Sequence, residues 1–95
     1  VILKGAMTVI ATAKGDLFIN PVSDPSLATA GSGDVLSGLI GGLLTQGVSS
    51  ERASLAGVWL HSQAGLAAKQ ALGTDRSVTA LDILKKIPTV FRKFT

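Results

Sequence analysis

The spacing of apolar and polar residues changes character about a third of the way along the chain. Before that point, short apolar runs at residues 1–4, 7–12 and 17–20 are rich in β-branched side chains and predict strands. Residues 13–16 form a four-residue connection containing Gly15, so the second and third runs predict a hairpin. The first run is continuously apolar and ends at Gly5, which predicts a buried strand.

After Asp34 the apolar residues follow the period of a helix, which Gly47 is suited to end. Gly38 and Gly42 lie four residues apart on this helix and predict a shallow groove in which a neighbouring element packs closely. Each glycine inside a helix costs ~1 kcal/mol relative to alanine, so we expect this helix to depend on tertiary packing.

Two further helices follow. Ser49 or Ser50 can cap a long second helix that ends at Gly73. Thr79 and Asp82 resemble a capping box and predict a short third helix through residue 86, after which Pro88 restarts the chain as a last turn or two. Between the two halves, residues 20–26 carry two prolines and predict a loop.

A glycine-rich turn precedes the first predicted helix, with Gly31 and Gly33 on either side of Ser32. Glycine permits positive φ and lets backbone N–H groups approach a ligand, while the start of a helix offers unpaired N–H groups and a partial positive charge. The segment therefore predicts an anion hole formed by Gly31, Ser32 and Gly33. Asp34 is a candidate general base, although in an isolated G-x-G-D string it more often only favours the first helical turn.

Longer strings surround this turn: K-G-A-x-T at 4–8, A-T-A-G-S-G-D-V-L-x-G at 28–38 and G-V-W-L-H-x-x-A-G at 57–65. Together they resemble the C-terminal third of the ADP/ATP-dependent NAD(P)H-hydrate dehydratases, which belong to the ribokinase-like superfamily. The resemblance implies an α/β fold in which residues 1–95 are the C-terminal portion of a single three-layer catalytic domain. In that portion a few strands, including the hairpin, are followed mostly by helices, and the N-terminal portion of the domain is absent from this chain.

The resemblance also implies roles for particular residues. Asp34 would contact the substrate and deprotonate the hydroxyl of NADHX or NADPHX, while the anion hole and Mg²⁺ stabilise the phosphoryl group in transfer. ADP or ATP would be the co-substrate, and loss of phosphate would restore NADH or NADPH. The AMP moiety of the nucleotide would contact Gly33 and the residues of K-G-A-x-T, which are Lys4, Gly5, Ala6, Met7 and Thr8. Asp24 stands where many relatives have asparagine, and we leave it out of the site.

Two other functions stay open at this point. A ribokinase-like small-molecule kinase acting on a sugar or a hydroxymethylpyrimidine would share the G-x-G-D turn but would leave a stable phosphorylated product. An inactive fragment would only fold or bind nucleotide.

Composition excludes several other classes of protein. The formal charge of +3 comes largely from the C-terminal end, without interleaved aromatic residues, so we expect no nucleic-acid partner. The apolar run at 35–44 is about half of the ~20 residues that span a bilayer, so we expect no membrane role. The chain has no cysteine, and its single histidine, His61, predicts packing and no metal ligand. We expect a cytoplasmic homo-oligomer.

Overall fold

The computed structural model describes residues 1–4, 8–20, 31–74 and 77–94, and these form strands followed by helices. The strands β1 (Ile2–Leu3), β2 (Thr8–Ala11) and β3 (Leu17–Asn20) make an antiparallel sheet in the order β1-β2-β3. The β2–β3 turn is closed by a hydrogen bond from the Thr12 N–H to the Asp16 carbonyl at 2.9 Å. Gly15 has a φ of 89° in this turn, and the predicted hairpin is confirmed.

One face of the sheet packs against the helices. Ile10 lies at its centre, paired with Ile2 on one side and Phe18 on the other. Ile10 is buried with Leu36 and Val58 in a small apolar cluster, and Ile2 packs at the edge of that cluster. This contact fixes the sheet against the beginning of the helical half of the chain.

The opposite face of the sheet is apolar and open. Its central residues are Leu3, Val9 and Ile19, which pair across the three strands. Leu3 is 68% exposed and Ile19 is 59% exposed, because no helix of the described residues covers this side. The prediction of a buried strand at residues 1–4 is therefore wrong: the strand forms, but of its apolar side chains only Ile2 packs against the core.

The helices are α1 (Ser32–Thr45), α2 (Ser50–Leu72) and α3 (Ala80–Phe94). Ser49 caps α2, where its hydroxyl accepts a hydrogen bond from the Arg52 N–H at 3.3 Å. Gly47 follows α1 with a φ of 86°, and Gly73 ends α2 with a φ of 74°. These helix boundaries agree with the predicted caps. None of the helices within the described ranges has both the length and the apolar character needed to cross a membrane.

The third helix begins as predicted but continues further. The Thr79 N–H and hydroxyl each lie 2.8 Å from the Asp82 carboxylate, and the Asp82 N–H returns to the Thr79 hydroxyl at 3.3 Å. The predicted end at residue 86 and restart at Pro88 are wrong, because α3 runs through Pro88 to Phe94. A proline inside a helix costs ~3 kcal/mol. Burial of Ile83 and Val90 on either side of it offsets that cost, at roughly 1.5–3 kcal/mol each.

The main core lies between α2 and α3, where buried residues pack together: Leu60, Ala64, Ala68, Val78, Ile83 and Val90. The closest approach of α1 to α2 occurs at Gly57, where an added Cβ would lie 2.5 Å from Cγ1 of Ile40. An added Cβ at Gly38 or Gly42 would meet nothing within 4 Å in the described part of the chain. The predicted close packing at these two glycines is therefore wrong for the described residues, and the small residue that permits contact is on α2.

Candidate functional site

The first turn of α1 is built on the left-handed conformation of Gly31. This residue is the N-cap, with φ 86° and ψ −8°, and its carbonyl accepts hydrogen bonds from the N–H groups of Asp34 and Val35. An added Cβ would also lie 3.1 Å from Cβ of Ala80, so only glycine fits without strain. Of the two predicted turn glycines, Gly31 alone has a positive φ, while Gly33 is an ordinary helical residue.

The start of α1 has no side-chain cap. Within the described residues, the N–H of Gly33 meets no hydrogen-bond acceptor. Such N–H groups and the positive end of the helix dipole favour a negatively charged ligand. An oxyanion bound here would supply an acceptor that the described residues do not provide.

Lys4 brings a second positive group to the same place. It follows β1, and its Nζ lies 3.5 Å from the position that a Cβ of Gly33 would occupy. The ammonium therefore lies beside the first helical turn, where it and the helix N-terminus attract the same anion. The structure thus brings together Lys4 and the predicted anion hole, although 27 residues or more separate them in the sequence.

His61 reaches this turn from α2. It is only 4% exposed, and its Nε2 lies 2.9 Å from the carbonyl oxygen of Ser32. Burial lowers the pKa of His61 below its usual 6.5; the hydrogen bond to Ser32 opposes this, and the charge of Lys4 adds to it. Because a carbonyl can only accept, Nε2 carries the proton, and the ring is neutral near pH 7.

The sequence predicted a packing role for His61 and missed its contact with the anion-hole turn. The only available signal was the presence of an imidazole on a helix whose other buried residues are mostly alanine, glycine and small apolar side chains. Periodicity places such a residue on the buried face but does not show which carbonyl it meets.

Asp34 lies on the exposed side of the same first turn, at the rim of a groove between α1 and α3. The groove has a volume of about 420 Å³ and is mostly apolar, lined by Asp34, Val35, Gly38, Leu39, Leu84 and Ile87. The missing side chain of Gly38, one turn after Asp34, keeps the groove open. A carboxylate at the edge of an apolar groove can accept a proton from a hydroxyl held there.

Of the remaining predicted contacts, Thr8 begins β2 and is half-buried, opposite Asn20 in the register of the sheet. Gly5, Ala6 and Met7 lie outside the described residues, as do Asp24 and most of the predicted loop at 20–26.

A metal ion would find few ligands in this part of the chain. The described residues contain no group of three or more His, Cys, Asp or Glu side chains that could hold one. Asp34 is the one acidic residue between positions 27 and 47. Protein-bound Mg²⁺ usually takes one or two carboxylates together with phosphates and water. The described residues therefore do not form a Mg²⁺ site by themselves.

Comparison with known proteins identifies the family. The family model for NAD(P)H-hydrate dehydratase matches residues 1–89. The bifunctional NAD(P)H-hydrate repair enzyme of Thermosynechococcus vestitus is 63% identical over 70 residues, which are 74% of this chain and 14% of that protein. The ADP-dependent (S)-NAD(P)H-hydrate dehydratase of Neisseria meningitidis is 43% identical over 83 residues, covering 87% of this chain and 28% of that protein.

A solved structure is similar as well. The ADP/ATP-dependent NAD(P)H-hydrate dehydratase of Bacillus subtilis, co-crystallised with ATP/Mg²⁺, superimposes with a TM-score of 0.85 at 33% identity. The match covers 98% of this chain and 33% of that one, so the chain spans about a third or less of the proteins it matches. The fold is therefore that of the corresponding part of these enzymes, as the sequence predicted. The chain belongs to the NAD(P)H-hydrate dehydratase family.

Proposed function

We propose that this chain is the C-terminal portion of a ribokinase-like catalytic domain. The full-length protein would convert NADHX and NADPHX to NADH and NADPH, with ADP or ATP as the co-substrate. The main observation behind the proposal is that three chemical groups lie at one turn. The Lys4 ammonium lies against Gly33, the Gly33 N–H has no acceptor among the described residues, and Asp34 follows in the same turn.

The open sheet face supports the assignment of residues 1–95 to one portion of a larger domain. In a three-layer α/β fold, helices cover both faces of the sheet. Here the helices cover the Ile10 face, while the Leu3 and Ile19 face carries exposed apolar side chains. Residues outside this chain would complete the second layer.

In the proposed reaction, the anion-hole turn and Lys4 bind the phosphates of the nucleotide. The residues of K-G-A-x-T, from Lys4 to Thr8, and Gly33 contact its AMP moiety. The backbone donors Gly31, Ser32 and Gly33 stabilise the negative charge that develops on the transferring phosphoryl group. Mg²⁺ would accompany the nucleotide phosphates, where it neutralises charge, and no cluster of acidic side chains among the described residues would enclose it.

Asp34 is the proposed base. It accepts the proton of the substrate hydroxyl as that oxygen bonds to the terminal phosphorus atom of the nucleotide, while the bond from this phosphorus to the bridging oxygen breaks and releases the shortened nucleotide. Inorganic phosphate then leaves from the ester, with loss of a ring proton, and the double bond of the reduced nicotinamide ring is restored. The apolar groove beside Asp34 would exclude water from the hydroxyl during this step. The cytoplasmic location and the homo-oligomeric state remain predictions of the same proposal.

The test is an assay of the full-length protein with NADPHX, Mg²⁺ and either ADP or ATP. We expect the absorbance of reduced nicotinamide to appear only when a nucleotide is present. The two nucleotides assayed separately identify the preferred co-substrate. A stable phosphorylated product from a sugar or hydroxymethylpyrimidine, with no recovery of NADPH, would contradict the proposal and indicate a kinase.

A further inference from the structure

We infer that His61 is a positioning residue, which through the carbonyl of Ser32 aims the N–H of Gly33 at the bound phosphate. The inference rests on the proposed function, because it takes the anion at Gly33 to be a nucleotide phosphate. His61 would not touch the nucleotide, and its effect would pass through a single peptide unit.

The geometry of the peptide bond provides the link. The carbonyl of Ser32 and the N–H of Gly33 belong to the same planar, trans peptide group, so they point in opposite directions. His61 Nε2 holds the carbonyl at 2.9 Å and thereby limits rotation of the whole unit. The N–H of Gly33 then points out of the start of α1. The Lys4 ammonium lies 3.5 Å from the position that a Cβ of the same residue would occupy.

The surroundings of His61 stabilise this hydrogen bond. The ring belongs to α2, which packs along α1, and it is buried, so little solvent competes with the carbonyl for the imidazole N–H. A donor on the carbonyl also polarises the peptide, which makes the N–H at its other end a stronger donor to an anion. The ammonium of Lys4, the residue after β1, lies near the same turn, so groups from three parts of the chain are found around one peptide group.

The site itself suggests a pair of variants. In His61→Gln, the side-chain amide can place an N–H donor near the position of Nε2, whereas His61→Leu keeps a similar volume and has no donor. Ser62→Ala is the matched control, because the Ser62 hydroxyl is a buried hydrogen-bonding group of α2 that contacts Trp59 and Asn20 and not the anion-hole turn.

The measurement is the affinity of the full-length protein for ADP, by titration calorimetry, together with melting temperatures. In His61→Leu, the Gly33 N–H should no longer be aligned for its hydrogen bond to the phosphate. A hydrogen bond to a charged group contributes enough that its loss should weaken ADP binding about tenfold or more. We expect His61→Gln and Ser62→Ala to stay within about threefold of the wild type. The KM for the nucleotide should follow the same order as the dissociation constants.

The outcomes separate positioning from packing. ADP binding that is equal in all variants, or equally weak in the leucine and glutamine variants, would overturn the inference. If ADP binding follows the expected order but NADPHX is not dehydrated, the proposed function fails and the positioning role stands.

If His61→Leu does not fold, ¹⁵N NMR of the wild type decides. A neutral ring protonated at Nε2, with a Gly33 amide signal that moves on addition of ADP, is the expected result. A ring protonated at Nδ1, or a Gly33 signal that does not respond, would overturn the inference.

Discussion

At the start of α1, the two glycines are not equivalent. Gly31 adopts a positive φ, and an added Cβ would lie only 3.1 Å from Cβ of Ala80. Gly33 has helical dihedral angles, and an added Cβ would lie 3.5 Å from Lys4 Nζ, which is an ordinary van der Waals distance. An alanine at position 31 would therefore strain the turn, whereas an alanine at position 33 would be accommodated. The conformational requirement for glycine in the G-x-G pattern falls on Gly31.

Replacement of Asp34 by asparagine should affect chemistry far more than stability. Asp34 is exposed in the first turn of α1, so the amide fits the same space. Loss of a positioned base typically lowers the rate by ~10²–10⁴. In the full-length protein we expect Asp34→Asn to lose NADPHX turnover by about this factor while its melting temperature and ADP affinity stay near wild type.

Asp16→Asn, in the β2–β3 turn, is the matched control and should keep full activity. Turnover by Asp34→Asn at the rate of the wild type would remove this carboxylate from the mechanism.

His61 should make stability depend on pH. Its pKa is lowered in the folded state, mainly by burial, so the unfolded chain takes up a proton first as the pH falls below 6.5. The free energy of unfolding should therefore decrease from about pH 6.5 downwards until the folded-state pKa is reached, after which His61 contributes no further change.

Urea unfolding between about pH 7.5 and about pH 5 measures this effect in wild type and in His61→Gln, which lacks the titrating ring. The stability of wild type relative to the variant should fall as the pH is lowered. A difference that stays constant over this range would show that His61 has the same pKa in the folded and unfolded states.

Among the helices, the contact between α1 and α2 depends on one small residue. A Cβ on Gly57 would lie 2.5 Å from Ile40 Cγ1, an atom close to its own backbone that cannot move far. Overpacking of this kind costs ~1–3 kcal/mol, whereas alanine gains up to ~1 kcal/mol in helix propensity. We expect Gly57→Ala to lower the free energy of unfolding by about 1 kcal/mol, the net of these two effects.

Gly41→Ala on α1 is the matched control, because its Cβ would meet nothing within 4 Å in the described residues. It should stabilise the protein by up to ~1 kcal/mol. The double variant Gly57→Ala with Ile40→Ala should not show the additional steric cost. If the two glycine variants have equal unfolding midpoints in urea, α1 and α2 do not pack as described.

Elements defined by local chemistry could be predicted from the sequence. The hairpin, the Ser49 cap, the Thr79 and Asp82 capping box and the glycine helix ends all depend on neighbours within a few residues. The course of α3 through Pro88 could not be predicted, because burial of Ile83 and Val90 against α2 decides it. The same holds for the choice between the α1 glycines and Gly57 as the point of close packing.

The same distinction between local chemistry and tertiary contact applies to the candidate site. The anion-hole turn and Asp34 are contiguous in sequence, so the chemistry of the segment could be recognised there. Lys4 joined the prediction through family resemblance, and its approach to Gly33 is a tertiary contact. The link from His61 to Ser32 spans 29 residues and has no local signature.

At the scale of the whole molecule, the open face of the sheet is the feature that most affects how the chain would assemble into a larger domain. Leu3, Leu17 and Ile19 lie on one side of the three strands and are each more than half exposed. Alternation along short apolar strands cannot distinguish a strand covered on one face from a strand covered on both. In the proposed full-length domain this face would be covered by the layer that residues outside this chain provide.

The 95 residues produced by themselves should therefore be inactive and should associate. The groove at Asp34 would hold the substrate hydroxyl from one side only, and correct positioning accounts for roughly 7–11 kcal/mol of a barrier. The exposed apolar face favours contact between copies, as do the outer edges of a sheet that has only three strands within the described residues. We expect no measurable NADPHX turnover, and we expect the 95 residues to sediment as a dimer or larger species.

Two variants test the role of the open face in this association. Substitution of Ile19 by lysine places a charge on the open face and should shift the population towards monomer, whereas Lys14→Ala, in the exposed β2–β3 turn, should leave the association unchanged. Substantial turnover by a monomer of these 95 residues would show that the site is complete without a second layer and that the proposed domain boundary is wrong.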